Sequence, residues 1–312
     1  MSVSCYLETF KSRPGGPVSK ICLAVILKRS PVYQNINSGS ILTANTCYIK
    51  TNNLLFVFNY YFLTENAIKQ LFYHIMGNSP IKQHIQTAEK TGVCQLCKLG
   101  IKEFPEELQC LHKNLRTLDL SDNKFQHLPS FIGKFDNLKN LSLSNNKLEN
   151  LPNEIGNLKK LEVLSLDINH LTALPSTFTN LKHLRTLNLS GNHIKYFPME
   201  VCGLNQLDVV DLSRNKITTL PDDVSNFQAM ELNLNQNQVS TLPESIASCP
   251  RLKVIRLEEN CLELKAFTPK ILKESNIALF AIEGNVFDMK AFHNIEGYDE
   301  FKLAKQKNIL NS

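Results

Sequence analysis

Apolar and polar residues alternate along most of this chain in a repeated unit, which is clearest over residues 138–158. Leu141 and Leu143 alternate with polar neighbours, as in a short strand with one buried face. Pro152 follows, and its fixed backbone dihedral suits the first turn of a helix whose inward residue is Ile155. Each unit is therefore predicted to contain one short strand and, on the opposite side, one helical or 3₁₀ turn.

The unit, LxxLxLxxNxLxxLPxxIxxL, recurs with nearly constant spacing. Its prolines are 22 to 24 residues apart, at Pro105, Pro129, Pro152, Pro175, Pro198, Pro221 and Pro243. Its asparagines are 22 to 25 residues apart, at Asn123, Asn146, Asn169, Asn192, Asn215, Asn237, Asn260 and Asn285. One unit cannot bury its own apolar face, whereas stacked units can. The predicted fold class is therefore α/β, a solenoid with a parallel β-sheet on the concave face and short helices or 3₁₀ turns on the convex face.

The asparagine at the ninth position of each unit has a predicted structural role. The chain turns inward there and leaves backbone N–H and C=O groups away from water. A side-chain amide offers two donors and an acceptor to those groups. The asparagines are predicted to form a ladder along the solenoid, and replacing one of them by leucine is expected to cost about 1–3 kcal/mol.

The array divides the chain into four predicted segments. They are a poorly ordered extension over residues 1–75, a capping helix over residues 76–92, the solenoid of about nine repeats over residues 93–287, and a C-terminal cap and tail over residues 288–312. The extension contains no copy of the repeat, and local helix is predicted in it around Glu65–Ile75.

The ends of the array depart from the repeat, as the ends of a stacked array require. Ser79 is a good N-cap and Pro80 a good first residue for a helix through Lys90, which Gly92 ends. This helix is expected to cover the first strand. Leu99 stands in the first copy at the position that asparagine occupies in the others.

Composition and charge exclude several classes of protein. No apolar run reaches 18 residues, so no membrane-spanning helix is predicted. Of 34 Lys and Arg residues and 29 Asp and Glu residues, seven and two fall in residues 1–75, which leaves 27 of each sign in the rest. The repeats carry no net positive charge, and no nucleic-acid partner is predicted. The apolar stretch Ile21–Leu27 is short and late for a signal peptide.

These residues resemble the leucine-rich-repeat superfamily, in the 23-residue subclass with LPxxIxxL in the outer half. That subclass includes intracellular scaffolds of the Ras pathway. A closer resemblance to one member covers residues 76–312, about three quarters of the chain, and rests on segments 76–79, 87–93, 251–264 and 296–299. The resemblance implies a curved solenoid, no catalysis, and a lipid on the glycine of the opening Met-Gly-Asn-Ser.

That opening matches the start of the N-myristoylation pattern M-G-x-x-x-[ST] and departs from it at the sixth position. The acyl chain would be attached to Gly77, and only if translation starts at Met76, because an internal glycine has no free amine. One myristoyl chain holds a protein marginally to a bilayer, and Lys82, His84 and Lys90 could supply a second contact. The predicted localisation is cytoplasmic, with peripheral membrane attachment through this lipid.

No catalytic or cofactor-binding motif is found in the sequence, and the chain is predicted to be a non-enzyme without a cofactor. Cys94 and Cys97 form a lone CxxC pair, for which Cys110 and His112 are the nearest further zinc ligands. The repeat register instead places Cys94 at an inward strand position. Core packing is therefore the favoured interpretation, and no metal site is predicted.

The outward strand positions form a broad polar strip along the predicted concave face, and solenoids present such surfaces to protein partners. The predicted partner-binding residues are Arg116, Asp119, Lys139, Ser142, Glu162, Ser165, Arg185, Asn188, Asp208, Asp211, Glu231, Asn233, Arg256 and Glu258. A plain solvated sheet face is the alternative interpretation. The predicted function is a non-enzymatic adaptor or scaffold that binds a protein partner in intracellular signalling.

Two other functions stay open at this stage. By analogy with the Ras-pathway scaffolds, the chain could be a regulatory subunit of a phosphatase or of a small-GTPase pathway enzyme. It could also be an extracellular recognition module, as many leucine-rich-repeat proteins are. Cysteine-rich caps flank those extracellular arrays, and the sequence shows none here.

Overall fold

The computed structural model describes residues 6–8, 22–24, 46–51, 54–59 and 80–302. The chain forms two compact units, Met1–Ser79 and Pro80–Ser312. Gly77, the predicted lipid attachment site, and the last ten residues of the predicted tail lie outside the described residues.

Four short strands are described in the first unit. They are β1 (Tyr6–Glu8), β2 (Cys22–Ala24), β3 (Thr46–Thr51) and β4 (Leu54–Asn59). β1 pairs with β2 and β3 pairs with β4, in both cases antiparallel. These strands lie in the segment predicted to be a poorly ordered extension, and they belong to no copy of the repeat. The helix predicted around Glu65–Ile75 lies outside the described residues.

The second unit begins with helix α1 (Pro80–Thr91), inside the segment in which the sequence predicts a capping helix. Ile85 and Ala88 lie one turn apart on α1, are fully buried, and pack toward the first repeat. Gly92 ends the helix with a φ of 73°, a left-handed conformation that glycine adopts without a steric penalty. The helix thereby covers the apolar edge of the first repeat.

Nine strands form one parallel sheet, in which each strand pairs with the next along the chain. They are β5 (Val93–Gln95), β6 (Thr117–Asp119), β7 (Asn140–Ser142), β8 (Val163–Ser165), β9 (Thr186–Asn188), β10 (Val209–Asp211), β11 (Glu231–Asn233), β12 (Val254–Arg256) and β13 (Leu279–Ala281). Leu141 in β7 pairs with Leu118 in β6 and with Leu164 in β8, and all three are buried. This parallel sheet confirms the predicted fold class.

The other side of the array is built from 3₁₀ turns, most of which follow a repeat proline. They are Glu106–Leu111, Ser130–Lys134, Asn153–Asn157, Ser176–Asn180, Met199–Gly203, Glu244–Ser248 and Leu264–Ala266. No 3₁₀ turn is assigned after Pro221 among the described residues, although the pattern predicts one. That repeat is one residue shorter than its neighbours, and the N–H of Val224 donates instead to Oγ of Ser245 at 3.1 Å.

Each asparagine of the ladder joins its own repeat to the preceding one. Asn169 Nδ2 donates to the carbonyl oxygens of Leu143 (2.9 Å) and Leu166 (3.0 Å). Asn169 Oδ1 accepts a hydrogen bond from the N–H of Leu148 at 3.0 Å. Equivalent bonds to the preceding repeat are made by Asn123, Asn146, Asn192, Asn215, Asn237, Asn260 and Asn285. Because each amide serves the repeat before it, the first repeat needs none, and Leu99 can occupy that position.

The residue before each asparagine, and before Leu99 in the first repeat, has a left-handed backbone. The non-glycine residues there have φ between 52° and 60°, and they are Lys98, Asp122, Asn145, Ile168, Arg214, Gln236 and Glu259. Glycine occupies the position at Gly191 and Gly284. Ile168 is the unfavourable member of this column, because a β-branched side chain is rarely found in the left-handed region. The repeat geometry therefore imposes local strain at Ile168.

Aromatic rings close the C-terminal end of the array. This end contains α2 (Pro269–Glu274), β13, α3 (Met289–Phe292) and a helical turn over residues 298–302. The ring of Phe267 lies 5.8 Å from that of Phe280 and 4.9 Å from that of Phe292. Phe301 adds a ring 5.2 Å from Phe280. These buried rings cover the last strand, as α1 covers the first.

Candidate protein interaction surface

The predicted partner-binding residues lie on or beside the strands of the parallel sheet, and we call this set the concave strip. Each strand of three residues buries its central side chain and leaves the two flanking side chains more exposed. The register places Asp211 between Asn188 and Asn233 on neighbouring strands. The strip is therefore continuous from one repeat to the next.

Several charged residues of the strip pair with one another across neighbouring strands. Lys139 Nζ lies 2.6 Å from Glu162 Oε1. Arg256 Nε lies 2.7 Å from Glu231 Oε1. The hydrogen bond from Lys139 lowers the pKa of Glu162, and the hydrogen bond to Glu231 raises the pKa of Arg256. Such exposed pairs add little stability, but they set which charges remain available to a partner.

Arg251 contacts the concave strip in a way that the strand pattern did not predict. Its Nη2 lies 2.6 Å from Oδ1 of Asp208, which lies two strands earlier along the sheet. Arg185 approaches the other oxygen of the same carboxylate at 3.7 Å. Asp208 therefore joins two arginines from different repeats. No spacing rule within one repeat could have found a contact between residues 43 positions apart.

Four polar residues of the strip are held by bonds at the ends of their strands. Oδ1 of Asp119, Asn188, Asp211 and Asn233 accepts a hydrogen bond from the N–H two residues later, at distances from 2.8 to 3.0 Å. These bonds fix the orientation of the four side chains. By contrast, within residues 80–302, Arg116, Ser142 and Ser165 make no side-chain hydrogen bond or ion pair.

Two shallow clefts, one at the N-terminal ends of the strands and one at their C-terminal ends, carry opposite charge. The basic cleft, of about 600 Å³, lies before β6, β7 and β8 and is lined by Lys90, Lys113, Arg116, Lys139 and Lys160, with Glu89 among its other residues. The acidic cleft, of about 650 Å³, lies after β10, β11 and β12 and contains Asp211, Glu258, Glu259 and Glu283, with Arg214. The even balance of charge over residues 76–312 therefore conceals a separation of charge in the folded chain.

Comparison with known proteins agrees with the geometry of the repeats. Residues 94–169 match a family model described as leucine-rich repeat region, and residues 159–217 match one described as leucine rich repeat. The array is a leucine-rich-repeat solenoid. The matched residues include six of the nine strands, from β5 to β10.

Solved structures show the same leucine-rich-repeat fold. A leucine-rich-repeat protein of Leptospira interrogans is 35% identical over 62% of this chain and 49% of its own, with a TM-score of 0.57. Internalin C2 of Listeria monocytogenes is 20% identical over 67% of this chain and 96% of its own, with a TM-score of 0.57. The leucine-rich repeat domain of APL1B is 19% identical over 76% of this chain and 67% of its own, with a TM-score of 0.53. This chain spans about half the length of the Leptospira protein.

Two cysteines of the leucine-rich-repeat solenoid, Cys94 and Cys249, are buried core residues. Cys94 is buried at the centre of β5, and burial raises its pKa to about 12. Burial also raises the pKa of Cys249 to about 12 and that of Cys202 to about 11. The described residues contain no group of three or more His, Cys, Asp or Glu side chains that could hold a metal ion.

Within the described ranges, no helix combines the length and apolar character that a membrane span requires.

Proposed function

We propose that this protein is a non-enzymatic adaptor or scaffold that binds a protein partner along the concave strip. Leucine-rich-repeat solenoids use extended concave surfaces of this kind for binding. The observation that supports the proposal most is the continuity of the strip, because strands in register present one unbroken column of polar side chains, from Asp119 in β6 to Arg256 in β12. This arrangement offers a long partner many separate contacts.

The strip favours a partner with both polar groups and charges of either sign. Within the described part of the second unit, Ser142 and Ser165 have unbonded hydroxyls, and the guanidinium of Arg116 is unpaired. Farther along, Glu231 and Arg256 already satisfy each other, so a partner would have to match a pair of opposite charges. Complementary charge of this kind contributes more to specificity and association rate than to affinity.

The test uses partners identified by proximity labelling with the full chain, followed by capture with purified variants. Arg256→Glu should abolish capture, because it places a negative charge beside Glu231 and removes the charge that the partner matches. The swapped variant Glu231→Arg with Arg256→Glu restores an ion pair but reverses its direction. We expect the swap to recover the melting temperature and still to fail in capture.

The matched control is Glu149→Lys, a charge reversal at an exposed position in the loop between β7 and the 3₁₀ turn Asn153–Asn157. This variant should capture the same partners as the wild-type chain. If the swapped variant also captures them at the wild-type level, the partner does not contact this part of the concave strip.

We further propose that the protein acts in the cytoplasm in intracellular signalling and associates with membranes through a lipid on Gly77. The support is the resemblance of residues 76–312 to leucine-rich-repeat-containing protein 57 and the Met-Gly opening at Met76. A chain started at Met76 should incorporate alkynyl myristate, and its Gly77→Ala variant should not. Label that persists in the variant, or is missing from the Met76 chain, would contradict lipidation.

A further inference from the structure

The basic cleft brings five cationic side chains together at the N-terminal ends of the strands. Lys90 comes from the last turn of α1, and the other four come from the segments that precede β6, β7 and β8. The cleft lies within the second unit, and its five cations all fall in residues 80–302. It therefore gathers, from three repeats and a helix, charges that are far apart in the sequence.

The repeat register explains why the cations converge. Arg116 and Lys139 immediately precede paired residues Thr117 and Asn140 of adjacent parallel strands. Neighbouring strands are about 4.7–4.9 Å apart, so these two positions are direct neighbours. Like charges placed opposite each other destabilise a sheet. The repeat itself does not require cations at this position. The same position is Glu162 in the repeat after that of Lys139, and Asp208 two repeats after Glu162.

The hydrogen bonds of the cleft leave part of this charge unpaired. Lys139 is paired with Glu162, and Lys160 Nζ donates to Oδ1 of Asn137 at 2.6 Å. Within residues 80–302, the charged groups of Lys90, Lys113 and Arg116 have no hydrogen bond or ion pair.

Asn137 is held from both sides, because its Nδ2 also donates to the carbonyl oxygen of Lys113 at 2.6 Å. It thereby connects the segment that carries Lys113 to the segment that carries Lys160. Among residues 80–302, the five cations face Glu89 in the lining and Glu162 in the pair, which leaves three positive charges in a concave site. Such a site attracts anions, because a concave wall focuses the field of its charges.

The type of anion follows from the donors and from the size of the cleft. An arginine guanidinium matches two oxygens of a phosphoryl group, and lysines act as point charges for the same group. A volume of about 600 Å³ suits a small molecule. Three uncompensated charges exceed what one carboxylate would neutralise and suit a compact group with several phosphates.

We propose that the basic cleft binds the phosphoryl groups of a small, multiply phosphorylated molecule. The ligand is either soluble or the headgroup of a phospholipid, since both present the same phosphates to the cleft. Arg116 and Lys139 belong to both the cleft and the concave strip, but this inference does not depend on a protein partner.

The test measures binding of inositol trisphosphate to the full chain by isothermal titration calorimetry. The variant Lys113→Ala with Arg116→Ala removes two unpaired cations, and its affinity should fall by about tenfold or more. The matched control is Lys124→Ala with Lys147→Ala, which removes two exposed lysines that follow the C-terminal ends of β6 and β7. The control should bind as the wild type does, and all three proteins should have the same melting temperature.

A second arm distinguishes the two sources of phosphate. Flotation with phosphatidylcholine vesicles, with and without phosphatidylinositol bisphosphate, is carried out on the same three proteins. Binding to the bisphosphate vesicles without binding to the soluble headgroup identifies a membrane ligand, and the reverse identifies a soluble one. The proposal is overturned if neither probe binds, or if both variants lose binding equally. It is also overturned if polyglutamate binds to the chain while inositol trisphosphate and the bisphosphate vesicles do not.

Discussion

The asparagine ladder allows the cost of one substitution to be worked out bond by bond. Asn169→Leu removes the amide that donates to the carbonyl oxygens of Leu143 and Leu166. Both oxygens keep a second amide donor, Asn146 for the first and Asn192 for the second. The third carbonyl that Asn169 reaches, that of residue 167, also keeps a backbone donor.

The substitution therefore orphans one buried group, the N–H of Leu148, whose acceptor is Oδ1 of Asn169. An unpaired buried donor costs about 1–3 kcal/mol, whereas four lost bonds at about 1 kcal/mol each would cost about 4 kcal/mol. We expect urea unfolding of Asn169→Leu to show the smaller loss. A loss of about 4 kcal/mol or more would show that the carbonyls depend on both donors.

The shared carbonyl also predicts that neighbouring substitutions are not additive. In the double variant Asn146→Leu with Asn169→Leu, the carbonyl of Leu143 loses both amides and becomes unpaired. The double-mutant cycle should therefore show an extra loss of about 1–3 kcal/mol. Asn146→Leu with Asn215→Leu is the control, because these two amides share no carbonyl and their effects should add. Additivity in both pairs would refute the proposed redundancy.

Three further predictions test other parts of the repeat. Ile168→Asn should raise the free energy of unfolding by about 1 kcal/mol, because it relieves a left-handed β-branched residue with φ of 53°; a loss of stability would contradict the strain. Gly156→Ala should lower the free energy of unfolding by about 1–3 kcal/mol, because its Cβ would overlap the carbonyl oxygen of Thr177. The control Gly203→Ala meets nothing closer than 3.4 Å and should be nearly neutral. Equal effects of the two substitutions would exclude this close approach as the cause. Burial raises the pKa of Cys94 to about 12 from 9.0, so stability should fall as pH rises above about 9, where the unfolded thiol ionises. Urea unfolding from pH about 8 to about 10 should show a smaller loss for Cys94→Val than for the wild type, and equal losses would exclude this thiol as the cause.

The repeat period allowed the fold to be predicted from the sequence, because every unit repeats the same local chemistry. Leu141 and its equivalents must be inward once the units stack, and the parallel sheet follows from that requirement. The same reasoning failed where the period is broken. The short repeat after Pro221 has no assigned 3₁₀ turn, and the strands of residues 1–79 belong to no repeat.

The sequence by itself determined the sheet, the columns of leucine and asparagine, and which side chains share a face. Only the tertiary structure decided that Arg251 reaches Asp208 and that Lys90 and Lys160 line one cleft. The physical reason is that the backbone register recurs with the period of the sequence repeat. A long charged side chain instead pairs with whichever opposite charge is close in space. That distance is set by the stacking of several repeats and by the helix that covers the first of them.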